Sequence, residues 1–198
     1  MNTLLKTVLT TMVFTLFTGM NFDEIIDYLS AGKELDFNNE KYELKWSSHP
    51  SGNYYKQEYL KTGEDFDSFQ NMVMIEAMEG ETEIKDALNA KVSALENRKK
   101  SDNAVTYRVH ETTENQGNKV LEFVLSDGRS VYEWNLYRYQ IQKGKGNKNY
   151  LVLFAYCHRN SSYDDNNNQN FYKYIDENRE ILVEKLQSYS VPEIKIVD

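Results

Sequence analysis

The stretch between residues 104 and 158 constrains this chain most. Four segments of strand character follow one another there: residues 104–112, 119–125, 131–142 and 150–158. Only short, turn-like separators divide them. Strands joined that tightly pair antiparallel, because a parallel pair needs a crossover of a dozen residues or more. Asp127-Gly128 and Gly144-Lys145-Gly146-Asn147 carry hairpin-turn chemistry. Leu121, Phe123 and Leu125 share one face of their strand. Residues 150–158 are apolar almost throughout, which marks a strand covered on both faces.

More strand text lies upstream. In residues 41–47 (KYELKWS) the alternation puts Tyr42, Leu44 and Trp46 on one face. The turn residues His49-Pro50-Ser51-Gly52-Asn53 follow, and residues 54–60 resume as the second arm of a hairpin. Residues 72–77 read as another strand. Two segments have helical periodicity. Residues 83–99, capped by Thr82, place Ile84, Leu88, Val92 and Leu95 on one stripe, with Lys91 off it. Residues 171–189 gather Phe171, Tyr174, Ile175, Ile181, Leu182, Leu186 and Tyr189, after a polar loop at 160–170. Residues 21–30 suggest a short amphipathic helix. The expected fold is α+β: a single antiparallel sheet of about seven strands with two long helices packed on it. The expected organisation is a signal peptide at 1–20, an N-terminal helix and lead-in at 21–40, and one α+β domain at 41–198.

The signal-peptide reading rests on Lys6 followed by an uncharged stretch that ends at Asp23-Glu24. Its apolar part, residues 8–17, has the length of an export signal and is short for a membrane span of about 20 residues. No A-x-A-like cleavage site stands near residues 18–21. The expected localisation is periplasmic or secreted.

The element order resembles the PsbP/Mog1-like group of small α+β domains. The phrases YELKWSSHPSGNYYKQEYLKTGE (residues 42–64) and VYEWNLYRY (residues 131–139) also resemble an exported bacterial family of unassigned activity. The resemblance implies a fold and no functional residue, because members of such a group do unrelated things.

Charge and motifs narrow the function. With 23 Lys and Arg against 31 Asp and Glu, the chain is acidic, which argues against a nucleic-acid partner. The single Cys157 excludes an intramolecular disulfide and a four-Cys zinc site. No P-loop, G-x-S-x-G, G-x-G-x-x-G or H-E-x-x-H occurs, and His49, His110 and His158 lack ligand spacing. No catalytic residue, metal ligand or cofactor is assigned. The 15 Tyr suit a recognition surface, since Tyr offers apolar area with a polar tip. Trp46, Tyr54, Glu58, Trp134 and Arg138 are the candidate ligand- or partner-binding residues. Arg138 needs a partner if buried, and Glu58 and then Glu133 are its candidates. The expected function is an exported non-enzymatic domain that binds a protein partner, as an envelope accessory or an immunity-like protein. The alternatives are a small-ligand or lipid-binding module, or an enzyme whose site the text does not reveal. Peripheral membrane association fits the same reading, without a transmembrane span in the mature chain.

Overall fold

The computed structural model describes residues 25–111, 119–161 and 165–197. The expected signal peptide lies outside them. Eight strands form one antiparallel sheet: β1 (Glu34–Phe37), β2 (Glu40–Ser51), β3 (Tyr54–Lys61), β4 (Asn71–Glu79), β5 (Thr106–His110), β6 (Val120–Ser126), β7 (Val131–Lys143) and β8 (Asn149–Ser161). Helix α1 (Ile84–Arg98) follows β4, and α2 (Asp165–Ser188) follows β8. The sheet order is β1-β2-β3-β4-β8-β7-β6-β5, so two meanders meet at β4 and β8. The fold is therefore α+β, as expected. The additional strand is β1, whose four residues were too few to show a pattern.

Each face of the sheet carries one helix. Val120, Trp134, Leu136, Phe154 and Tyr156 join Ile175, Leu182 and Leu186 of α2 in the larger core. Leu121, Phe123, Tyr137, Leu153 and Ala155 join Ala87, Leu88 and Leu95 of α1 in the other. Strand β8 supplies both cores, which explains its unbroken apolar text. The sheet curls into a half-barrel. Phe37 on edge strand β1 meets Phe154 and Tyr156 of β8, each at 5.6 Å between ring centroids, although three strands separate β1 from β8 in the sheet.

Turn chemistry works as its residues suggest. Asp127 accepts three backbone N–H groups, from Arg129, Ser130 and Val131, and Gly128 adopts φ +74°. Between β7 and β8, Gly146 and Asn147 both take positive φ in a single 3-10 turn.

Four expectations are corrected. Residues 25–30 are not helical, because side chains compete for their backbone. Asp27 accepts the Ala31 and Gly32 N–H groups, and buried Gln57 accepts that of Leu29. Helix α2 begins at Asp165, inside the expected polar loop. Ile181 points outward, at 53% exposure, and Val183 is buried instead. On α1, Ile84 and Val92 are only half-buried, whereas Ala87 and Lys91 are buried.

Candidate functional site

The polar side chains on the α2 face are consumed by the fold. Arg138 on β7 is 2% exposed. It does not reach Glu58 or Glu133, which lie on the opposite face. Its guanidinium donates to the carbonyls of Leu186 (2.7 Å), Gln187 (2.6 Å) and Tyr189 (2.9 Å) and to Gln140 Oε1 (2.9 Å). It thus caps the C-terminus of α2, where carbonyls lack intrahelical donors and the helix dipole favours a cation. On the neighbouring strand β6, Glu122 accepts from Trp134 Nε1 (3.0 Å) and Arg179 Nε (2.8 Å), and its second oxygen meets His110 Nε2 at 2.7 Å. Burial pushes the Glu122 carboxyl up, but His110 and Arg179 outweigh it and hold the group down at about 2. His158 stacks on Tyr174 at 3.8 Å, and its Nδ1 meets Asn71 Oδ1 at 2.8 Å. Burial, aided by Lys61, depresses it to about 4.

The α1 face is different. Cross-strand register places Tyr54, Lys56 and Glu58 of β3, Glu76 of β4, Glu133, Asn135 and Tyr137 of β7, and Cys157 of β8 on it. Trp46 joins them through a bulge. The β2–β3 register shifts between Leu44, opposite Tyr59, and Trp46, opposite Glu58. One extra residue turns Trp46 away from Tyr42 and Leu44, contrary to the simple alternation.

Lys56 Nζ bridges Glu58 Oε1 at 2.7 Å and lies 5.7 Å from the Trp46 ring centroid. These two charged side chains are 19% and 16% exposed. Burial depresses Lys56, but Glu58 and Glu76 beside it outweigh that and hold its ammonium above the usual lysine value. The Tyr54 hydroxyl hydrogen bonds Glu76, and burial with Glu76 and Glu58 nearby pushes its ionisation upward. Burial also pushes up the carboxyl of Glu133. The Cys157 thiol is pushed well up by burial, which leaves it a packing group and no nucleophile.

Two residues stand out. Lys91 of α1 is 8% exposed, and its ammonium rests over Phe123 (4.7 Å) and Tyr137 (4.9 Å). Burial depresses it to about 8. Asn135 is fully buried, and both its Oδ1 and its Nδ2 lack a hydrogen-bond partner.

Of the five sequence candidates, Trp46, Tyr54 and Glu58 come together on the α1 face, while Trp134 and Arg138 occupy the α2 face. They do not line a common groove. Lys91, Glu76 and Asn135 escaped the sequence reading. A separate cavity of about 260 Å³ opens between hairpin tips and the C-terminal tail, lined by Tyr55, Glu79, Lys148, Tyr150 and Ile194 among others. Among the described residues no three potential ligands gather to hold a metal ion, and no helix is long and apolar enough to cross a membrane.

The architecture defines a class: one curled antiparallel sheet with a helix on each face and a polar cluster under α1. A protein-family model matches residues 29–191, and the chain belongs to that family, an uncharacterised one. No curated protein and no solved structure matches the chain.

Proposed function

We propose that this chain is an exported bacterial domain that acts by binding a protein partner, as an envelope accessory or an immunity-like protein in the periplasm or outside the cell. The observation that carries the reading is the gathering of Trp46, Tyr54 and Glu58, with Lys56, on one face of the β2–β3 hairpin. An indole beside a charged pair, partly exposed and framed by tyrosine, has the composition of a recognition hot spot. The likeness to PsbP/Mog1-like domains belongs to the same proposal, supported by the helix on either side of the sheet. The alternative, a small-ligand or lipid-binding module, draws its support from the buried Asn135 and Lys91.

A photocrosslinking residue at Ser48, on the same hairpin face, tests the partner reading in intact producing cells. One discrete adduct is expected, lost on Glu58→Ala. With the purified partner, Trp46→Ala should weaken binding about 30-fold, the loss of a hot-spot side chain. A folded, exported protein that gives no discrete adduct contradicts the reading.

A further inference from the structure

We infer that the sheet face under α1 holds a second site, which binds a small carboxylate that also carries an amide, seated between Lys91 and Asn135. The inference does not depend on the partner reading and concerns a deeper part of the same face.

Asn135 sits opposite Phe123 on β6 and Cys157 on β8, in a row that continues through Met72 to Leu60. Its neighbours in the row are apolar or a packed thiol. A buried carboxamide in such a row normally finds partners, because its donors and acceptor lose water without compensation. Here both ends are unpaired. Tyr137 lies two residues along the same face, and Phe123 is directly opposite. These are the two rings under the Lys91 ammonium. The cation and the amide therefore flank the same ground. Among the described residues no carboxylate or other acceptor lies within bonding distance of Lys91 Nζ; the rings are its contacts.

The chemistry of the occupant follows. The Lys91 ammonium rests on two aromatic faces, with Glu76 and Glu133 near it but neither paired to it directly. A carboxamide with a free donor and a free acceptor complements another amide edge. A carboxylate one or two bonds from an amide satisfies both, as in an N-acyl amino acid or the carboxyl end of a peptide. Ala155 is the smallest side chain of the row Leu121, Tyr137, Ala155, Met74 and Glu58, which runs from the core to the partly exposed Glu58.

Affinity for the anion depends on the Lys91 charge. The groups that face it are Glu76 of β4, Lys56 of β3, Arg98 of its own helix and Glu133 of β7. Lys56 is held above the usual lysine value by its carboxylate neighbours. Lys91, at about 8, is the cation that discharges on mild alkalinisation, so binding weakens as pH rises through that value.

Isotope-labelled protein titrated with N-acetylglycine tests the site, with the Asn135 side-chain amide and the Lys91 ε-methylene followed by NMR. A saturable shift of both is expected at about millimolar concentration, the range for a ligand of about eight heavy atoms. Acetate and acetamide alone should each bind at least about tenfold more weakly, since each engages one of the two groups. Lys91→Met and Asn135→Leu should each abolish the shift, while Lys85→Met on the exposed side of α1 should preserve it. An Asn135→Leu protein that does not fold counts against the site, because Asn135 would then serve the fold, and Lys91→Met tests the site independently. An N-acetylated triglycine that binds as tightly as N-acetylglycine assigns the site to peptide ends, and one that does not assigns it to the free small molecule; both support the site. No saturable shift at tens of millimolar, or a shift that survives Lys91→Met, overturns it.

Discussion

A lysine kept in an aromatic bed exacts a measurable cost. The Lys91 ammonium drops from the usual 10.5 to about 8 because burial disfavours its charge. Its folded value lies below its unfolded one, so between pH 8 and 10.5 the unfolded chain binds more protons. Stability therefore rises with pH across that window. A shift of this size corresponds to on the order of 3 kcal/mol. Lys91→Met should raise neutral-pH stability by about 1–3 kcal/mol and flatten the rise between pH 7.5 and 9, as read by urea melts at both values. An unchanged slope contradicts the assignment. The sequence hid this residue for a physical reason. The stripe Ile84, Leu88, Val92, Leu95 sets the helix face to within one residue of rotation, and Ala87 and Lys91 lie just beside it. Only the rings of Phe123 and Tyr137, distant in sequence, make the long lysine stem worth burying. Asn135 was equally opaque. Its burial opposite Phe123 and Cys157 depends on strand pairing that no local pattern announces.

At the scale of elements, α2 depends on a strand residue. Arg138 donates to three carbonyls at the end of the helix. Arg138→Ala should cost about 3 kcal/mol, since hydrogen bonds from a buried charged donor exceed ordinary ones. Hydrogen exchange should show the loss in the last turn of α2 first. Arg138→Lys should recover less than half, because a point charge cannot fork to three acceptors. Glu58→Ala lies across the sheet, so the double variant should be additive within about 0.5 kcal/mol. Coupling larger than that would restore the Arg138–Glu58 pairing that the sequence suggested. The need of Arg138 for a partner was legible, since a buried guanidinium is too costly alone; the identity of the partner was not. Helix ends offer unpaired carbonyls that no residue type announces. The same limit applies to Trp46, whose face depends on a bulge that alternation cannot reveal. Strand order within each meander, by contrast, follows from short turns, and five of the eight strands (β2, β3, β6, β7 and β8) are joined by hairpin connections whose turn residues are explicit in the sequence.

For the whole molecule, the two sides of the sheet play different parts. The α2 face uses its polar groups for stability, and acid should reveal it. His158 at about 4 lies below its unfolded value of 6.5, so stability falls as pH drops from 6.5 to 4. Glu122 at about 2 lies below 4.5, so its contribution is present above 4.5 and lost as pH falls toward 2. Each is worth at most on the order of 3 kcal/mol. His158→Gln should flatten the first limb and Glu122→Gln the second, in melts taken across that range. The α1 face instead keeps groups that cost stability, a pattern expected where binding and folding make opposed demands. The most direct measurement of that claim is a urea melt of Asn135→Leu at neutral pH. Replacing an unpaired buried amide by an apolar side chain of similar size should stabilise the protein by about 1–3 kcal/mol. A loss of more than about 1 kcal/mol would contradict the account, because Asn135 would then be serving the fold and not a ligand.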